Sequence, residues 1–155
     1  MQELLKEVMR NFPLGVAVVT TNWNGKLVGM TVNTFNSLSM NPPLVLFSAD
    51  RTKGNDVPFR ETKNFGVNLL DKKELLDRFA YQPVDKRFND VKFFRFQDIP
   101  LLENSYAYVV ADKREVVDIG DHSLVIGEVI QAKVLREPEP IVYFKRDYWR
   151  LMKDI

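Results

Sequence analysis

Hydrophobic residues recur at helical spacing over the first dozen positions: Leu4, Leu5, Val8, Met9 and Phe12. One face of a 3.6-residue period collects them. Glu3 in the first turn and Arg10 in the last complement the helix dipole, and Pro13 and Gly15 stop the helix. The pattern then turns to β-favouring runs. Residues 16–22 and 27–33 predict two strands, with Asn24-Gly25 between them as a tight hairpin turn, since both residues tolerate positive φ. Asn41-Pro42-Pro43 interrupts a ladder, and residues 44–49 predict a buried strand. Residues 64–70 predict another. Asp71 with Glu74 reads as a capping box for a helix whose apolar face is Leu75, Leu76 and Phe79. Residues 81–104 mix aromatics and charges with Pro83 and Pro100, and predict no clear element. Strand patterns return at 106–111, 116–119 and 123–135, and Pro138 and Pro140 precede a stretch with Tyr143, Phe144, Tyr148 and Trp149. Many strands at short spacing with few helices predict a mainly β chain, an antiparallel sheet closed into a barrel. No repeat or linker divides the chain, so residues 1–155 read as one domain.

Composition narrows the function classes. Lys and Arg number 22 against 21 Asp and Glu, a net charge of +1, which gives no argument for a nucleic-acid or anionic-membrane surface. The absence of Cys excludes disulfides, thiolate metal sites and a Cys nucleophile. The longest apolar run, 106–111, falls far short of the roughly 18–20 residues a spanning helix needs. No secretory pattern leads the chain, so the expectation is a soluble cytoplasmic protein.

Candidate chemistry is sparse. No Gly-x-Gly-x-x-Gly fingerprint or P-loop occurs. With one His and no Cys, no transition-metal site is expected. A hydrolytic triad would need His122, and its neighbour Asp121 would point to the opposite face of a strand. Four segments carry useful groups. Thr31, Asn33, Thr34, Asn36, Ser37 and Ser39 can hydrogen-bond the rim of a planar heterocycle, or close a polar turn. Residues 48–55, with Ser48, Arg51, Thr52, Lys53 and Gly54, suit a phosphate, or form a solvated loop. Gly120-Asp121-His122 sets the only imidazole at a strand start, where it is catalytic or structural. Phe79 and Arg87-Phe88 suit aromatic packing beside a surface cation.

Taken in order, these segments resemble the flavin reductase-like family with the FMN-binding split barrel. The carrying residues are Phe12-Pro13-x-Gly15-Val16 with Val18-Val19-Thr20-Thr21; Gly29-x-Thr31-x-Asn33-x-Phe35-x-Ser37-x-Ser39 with Pro42-Pro43; Phe65-Gly66-Val67-Asn68-Leu69-Leu70; Phe79-Ala80 with Arg87-Phe88; Gly120-Asp121-His122 with Gly127-Glu128-Val129; and Pro140 with Tyr143 and Tyr148. The resemblance implies a six-stranded antiparallel Greek-key split barrel with short flanking helices, usually a homodimer. It implies an NAD(P)H:flavin oxidoreductase that uses NADH or NADPH to reduce FMN or FAD, and feeds a separate oxygenase, as in two-component aromatic monooxygenases. By it, Thr31, Asn33, Thr34, Phe35, Asn36, Ser37 and Ser39 line the isoalloxazine. Ser48, Ala49, Asp50, Arg51, Thr52, Lys53, Gly54 and Asn55 hold the ribityl and phosphate. Phe79 and Arg87 belong to the same cofactor site. His122 is the catalytic candidate on the nicotinamide side, with Tyr143 and Arg146 beside it. Tyr106-Ala107-Tyr108 departs from the family, whose members often carry a Cys there. Two other readings suit the same barrel: a flavin-storage protein, and a flavoenzyme with fixed FMN acting on another substrate.

Overall fold

The computed structural model describes residues 1–155. Helix α1 (Gln2–Arg10) forms where the period predicts it, yet buries none of its residues. Asn24 and Gly25 take φ of 53° and 89° and close the hairpin between β1 (Ala17–Trp23) and β2 (Lys26–Val32). Two strands follow, β3 (Asn36–Met40) and β4 (Pro43–Asp50). Next come a short helix α2 (Val57–Glu61), strand β5 (Asn64–Leu69) and helix α3 (Lys73–Tyr81). The unassigned stretch 81–104 holds a hairpin, β6 (Phe93–Phe96) and β7 (Ile99–Leu102). The chain ends with β8 (Ala107–Ile119), β9 (His122–Val134) and a second small hairpin, β10 (Ile141–Phe144) and β11 (Asp147–Arg150). No helix is long and apolar enough to cross a membrane.

The main sheet is antiparallel and runs β2-β1-β5-β8-β9-β4-β3. It has seven strands, not six, and no ladder joins β2 to β3, so the expected closed barrel is corrected to an open, curled sheet. The extra strand is β3, which its Asn and Ser residues disguise as a turn. Helix α3 packs on the face of β2 that carries Gly29 and Thr31. Curling still brings the two ends together. Val28 and Val32 of β2 share one core with Val45, Phe47 and Ala49 of β4, around Phe59, Phe65 and Val67. A second core lies on the outer face, where Val16, Val18, Leu76, Phe79, Leu102 and Ile141 meet. Strand β1 serves both cores, so its side chains are buried on both faces and read as an unbroken apolar run.

The separate strands expected at 106–111 and 116–119 are one strand. Strand β8 runs through the charged residues 112–115 with a register irregularity between Lys113 and Glu115. The capping box at Asp71 is also corrected. Lys72 precedes the helix without a side-chain cap, and Asp71 bonds Arg136 instead. The β6–β7 hairpin is held by a buried polar network. Thr20 Oγ1 donates to the Pro100 carbonyl at 2.6 Å, and the Leu102 N–H donates to Asn68 Oδ1 at 2.7 Å.

Candidate functional site

Three pieces of backbone converge at one rim of the sheet. The register pairs Asp50, the last residue of β4, with His122, the first of β9. The residues after β2 cross beside them: Thr34 Oγ1 accepts the Ser48 N–H at 3.0 Å and donates to the Ser48 carbonyl at 3.3 Å. The β10–β11 hairpin closes the third side, tied to residue 14 by a backbone bridge between Leu14 and Tyr143. Between them is a cavity of about 280 Å³. Its apolar walls include Val16, Met30, Val32 and Ala80, and its aromatic walls are Tyr81, Tyr143 and Tyr148. Thr31, Asn33, Thr34, Ser48, Asn55, Asp50 and His122 supply polar groups. Tyr143 and Tyr148 face one another with ring centroids 5.6 Å apart. Burial, and the nearby Asp77 carboxylate, push the Tyr148 phenol up to about 12.

A second hollow of about 400 Å³ adjoins the first and shares Met30, Thr31, Asn55 and Ala80 with it. Its charged lining is Lys26, Lys53 and Arg87, with no acidic residue. The Arg87 guanidinium donates only to backbone carbonyls, of Gly29 at 2.8 Å, Gln82 at 2.9 Å and Ala80 at 3.5 Å. Burial lowers its affinity for the proton, and no carboxylate neutralises it. Trp23, which also lines this hollow, has a buried indole N–H with no acceptor in the protein. A buried donor without a partner is costly, and this one lies against the inner core, out of reach from the hollow.

His122 and Asp121 meet directly, with Nδ1 to Oδ1 at 2.7 Å. The sequence argument put them on opposite faces; they touch because Asp121 lies in the turn before β9, not in the strand. The contact fixes the imidazole's orientation. Across the rim, hydrogen bonds from the Thr52 hydroxyl and N–H, with His122 nearby, hold the Asp50 carboxyl below its ordinary range.

The structure gathers Thr31, Asn33, Thr34, Ser48, Ala49, Asp50, Asn55, His122 and Tyr143 around the first cavity, and Lys53, Gly54, Phe79 and Arg87 around the second. It does not bring the remaining expected residues there. Phe35 packs on the inner core. Asn36, Ser37 and Ser39 lie in β3 at the sheet edge, paired with β4. Arg51 is exposed and donates to the Gly120 carbonyl at 3.2 Å, and Thr52 is bonded to Asp50. Arg146 lines a neighbouring groove. Even Thr31 spends its hydroxyl on the Leu76 carbonyl, at 2.7 Å. Lining residues that the sequence reasoning missed include Val16, Met30, Val32, Ala80 and Lys26, none of which stands out from its neighbours as a residue type.

The two adjoining hollows have polar and aromatic walls, and one of them is cationic. Residues 9–152 match the model of the flavin reductase like domain, so the chain belongs to that family. Among its relatives, a flavin reductase of Pseudomonas putida is 33% identical over 146 residues, which cover 92% of this chain and 86% of that protein. An NADH:FMN oxidoreductase of Rhodococcus erythropolis is 29% identical, over 94% of this chain and 79% of its own. The solved structure of flavin reductase HpaC complexed with NADP+ is 54% identical and superposes with a TM-score of 0.95, over 97% of this chain and 98% of the other. Flavin reductase PheA2 is 34% identical, with a TM-score of 0.88 and 99% of both chains covered.

Proposed function

We propose that this chain is an NAD(P)H:flavin oxidoreductase that reduces FMN or FAD and passes the reduced flavin to a separate oxygenase, as the reductase half of a two-component monooxygenase. The observation that carries this reading is the pair of joined hollows, polar and aromatic on one side, cationic and free of carboxylates on the other. Joined, the hollows of about 280 and 400 Å³ fall in the range of ligand clefts, roughly 300–1,000 Å³. The residues fit a flavin mononucleotide: Thr31, Asn33, Thr34, Ser48 and Asn55 border the ring's place, and Lys26, Lys53 and Arg87 suit its phosphate. The bound flavin supplies the hydride-accepting ring. The protein's part is to position and to shield. Val16, Val32 and Ala80 exclude water from the ring's edge. His122, oriented by Asp121, offers its free nitrogen to the nicotinamide carboxamide and holds it in line for transfer, where alignment outweighs acid–base help.

In this reading the open sheet is the family's split barrel with one added edge strand. The exposed apolar residues Leu4, Leu5 and Val8 of α1, with Phe12 just beyond it, are the surface we assign to a second subunit, giving a homodimer. We place the protein in the cytoplasm, where the nicotinamide nucleotides are. Anaerobic stopped-flow mixing with NADH or NADPH and free FMN or FAD tests the reaction directly; a flavin-storage protein would bind flavin and leave it oxidised. His122→Asn should lower kcat/KM for the nucleotide about five- to thirtyfold, with flavin Kd nearly constant. A fall in melting temperature with an unaltered nucleotide KM would reduce His122 to a turn-closing role. A mass near that of one chain by light scattering would remove the dimer.

A further inference from the structure

One basic groove is not used by this reading. Beyond Asn33 and Tyr143, which line both, the central cavity opens into a groove of about 240 Å³ bordered by Lys6, Arg10, Lys145 and Arg146. A further hollow of about 280 Å³ continues along Arg10, Lys145 and Arg146, where Glu7 is the one acidic neighbour. This groove shares no residue with the hollow of Lys26, Lys53 and Arg87, so the cavity has two separate cationic exits. Lys6 pairs with Glu3 at 3.2 Å, while Arg10, Lys145 and Arg146 form no salt bridge.

The cations come from distant parts of the chain that the backbone locks together. The Lys145 N–H donates to the Arg10 carbonyl at 3.0 Å, and Leu14 and Tyr143 exchange N–H bonds at 3.0 and 2.8 Å. Lys145 and Arg146 are the two centre residues of the β10–β11 turn, with φ of 50° and 63°. Such a turn favours Asn-Gly, the pair this chain uses at 24–25, and long side chains there work against local preference. The Lys145 ammonium lies 5.3 Å from the Phe144 ring centroid, a contact that holds the side chain and leaves its charge intact.

We propose that this groove binds a phosphate ester on the adenosine half of the nicotinamide nucleotide and thereby sets the preference for NADPH over NADH. The proposal rests on the reductase reading. A hydride transfer between two phosphorylated molecules brings both into one cavity, and each needs its own place for its phosphates. The hollow of Lys53 and Arg87 serves the flavin. The second exit, past Asn33 and Tyr143, is left to the nucleotide. Three unpaired cations suit a monoester carrying about −1.5 to −2 charge better than a singly charged diester.

The test uses the double variant Lys145→Asn with Arg146→Gly, which removes both charges and installs the favoured turn pair, so folding is retained. Arg10→Gln is the second variant, from a different element. Adenosine 2′,5′-bisphosphate and 5′-AMP are titrated calorimetrically, and kcat/KM is measured for NADPH and NADH, each with FMN and FAD, at one ionic strength. The expected result is a loss of about tenfold or more in bisphosphate affinity and in the NADPH-to-NADH ratio of kcat/KM, in both variants. An unmoved ratio, equal losses for both nucleotides, or no bisphosphate binding by the wild type overturns the proposal. A change in the FAD-to-FMN ratio alone also overturns it, since the groove then reads the flavin's pyrophosphate. Should the wild type oxidise neither nucleotide while the variants still lose bisphosphate binding, the reductase reading fails and the phosphate site stands.

Discussion

Asp71 controls whether the C-terminal hairpin, and with it two walls of the cavity, stays on the sheet. Its side chain is only 5% exposed. The carboxylate accepts from Arg136 Nη1 at 2.8 Å, from Arg136 Nη2 at 2.7 Å and from the Glu139 N–H at 2.9 Å. Its own carbonyl accepts from Arg150 Nη1 at 3.1 Å, so both ends of the hairpin segment are clasped at one residue. Asp71→Asn keeps the shape but loses the charge and turns an NH₂ toward existing donors. Charge-assisted bonds are worth about 1.5–3 kcal/mol each in a shielded setting. The Arg136 side chain is 40% exposed and recovers part of its hydration. The net loss should therefore be about 2–3 kcal/mol, below the ~3–5 kcal/mol of a fully buried broken pair. For a chain of this length that is a melting-temperature drop of roughly 4–12 °C. The hydrogen bonds from Arg136 hold the Asp71 carboxyl well below the usual carboxylate range. A depressed pKa means that the stabilisation is complete above the unfolded value near ~4 and fades as pH falls through the folded one. Between pH 5 and 8 it is constant. The assay is circular-dichroism melting at pH 7 of wild type, Asp71→Asn, Arg136→Gln and the double variant. The two single variants should be strongly non-additive, because each breaks the same clasp. A drop below about 2 °C for Asp71→Asn, or full additivity, would refute the argument.

Lys53→Ala should weaken FMN about ten- to a hundredfold and riboflavin hardly at all, while Arg51→Ala should affect both little, because Arg51 is engaged with the Gly120 carbonyl; equal effects of the two substitutions on FMN affinity would undo the assignment of the phosphate to the second hollow. Tyr148 should remain un-ionised at pH 11, so Tyr148→Phe should leave the 295 nm phenolate signal at that pH unchanged. Because its pKa is raised, Tyr148 stabilises the fold fully below pH ~10 and loses that contribution toward pH 12, and a wild type that melts identically from pH 9 to 12 would contradict this. Gly127→Ala should cost about 1–3 kcal/mol, since a Cβ there would sit 2.7 Å from the Phe65 ring and 2.8 Å from Ala111 Cβ; urea denaturation with an unchanged midpoint would show that the core gives way freely.

What could be read in the chain was what is decided locally. The hairpin at Asn24-Gly25 and helix α1 follow from neighbours within a few positions, and both formed. The β6–β7 hairpin was hidden because its support is distant. Asn68 and Thr20, far back in the chain, supply the hydrogen bonds that hold Pro100 and Leu102 in place. Asp71 was misread as a cap for the same reason, its partner Arg136 lying 65 positions away.

The site shows the same division, with a further cause in strand alternation. His122, Asp50 and Thr34 carry distinctive side chains, and they meet because the β4–β9 register and the crossing after β2 bring them to one rim. Strand β2 illustrates why others escaped. Val28 and Val32 face the inner core, so Gly29 and Thr31 must face α3. There a Cβ on residue 29 would sit 2.8 Å from the Phe79 ring, and the residue 29 carbonyl accepts a hydrogen bond from Arg87. Gly29, the first residue of the motif, is thus where sheet, helix and the Arg87 guanidinium come into contact. A side chain there would push Phe79 and α3 outward and disturb the wall that Ala80 and Arg87 give the second hollow.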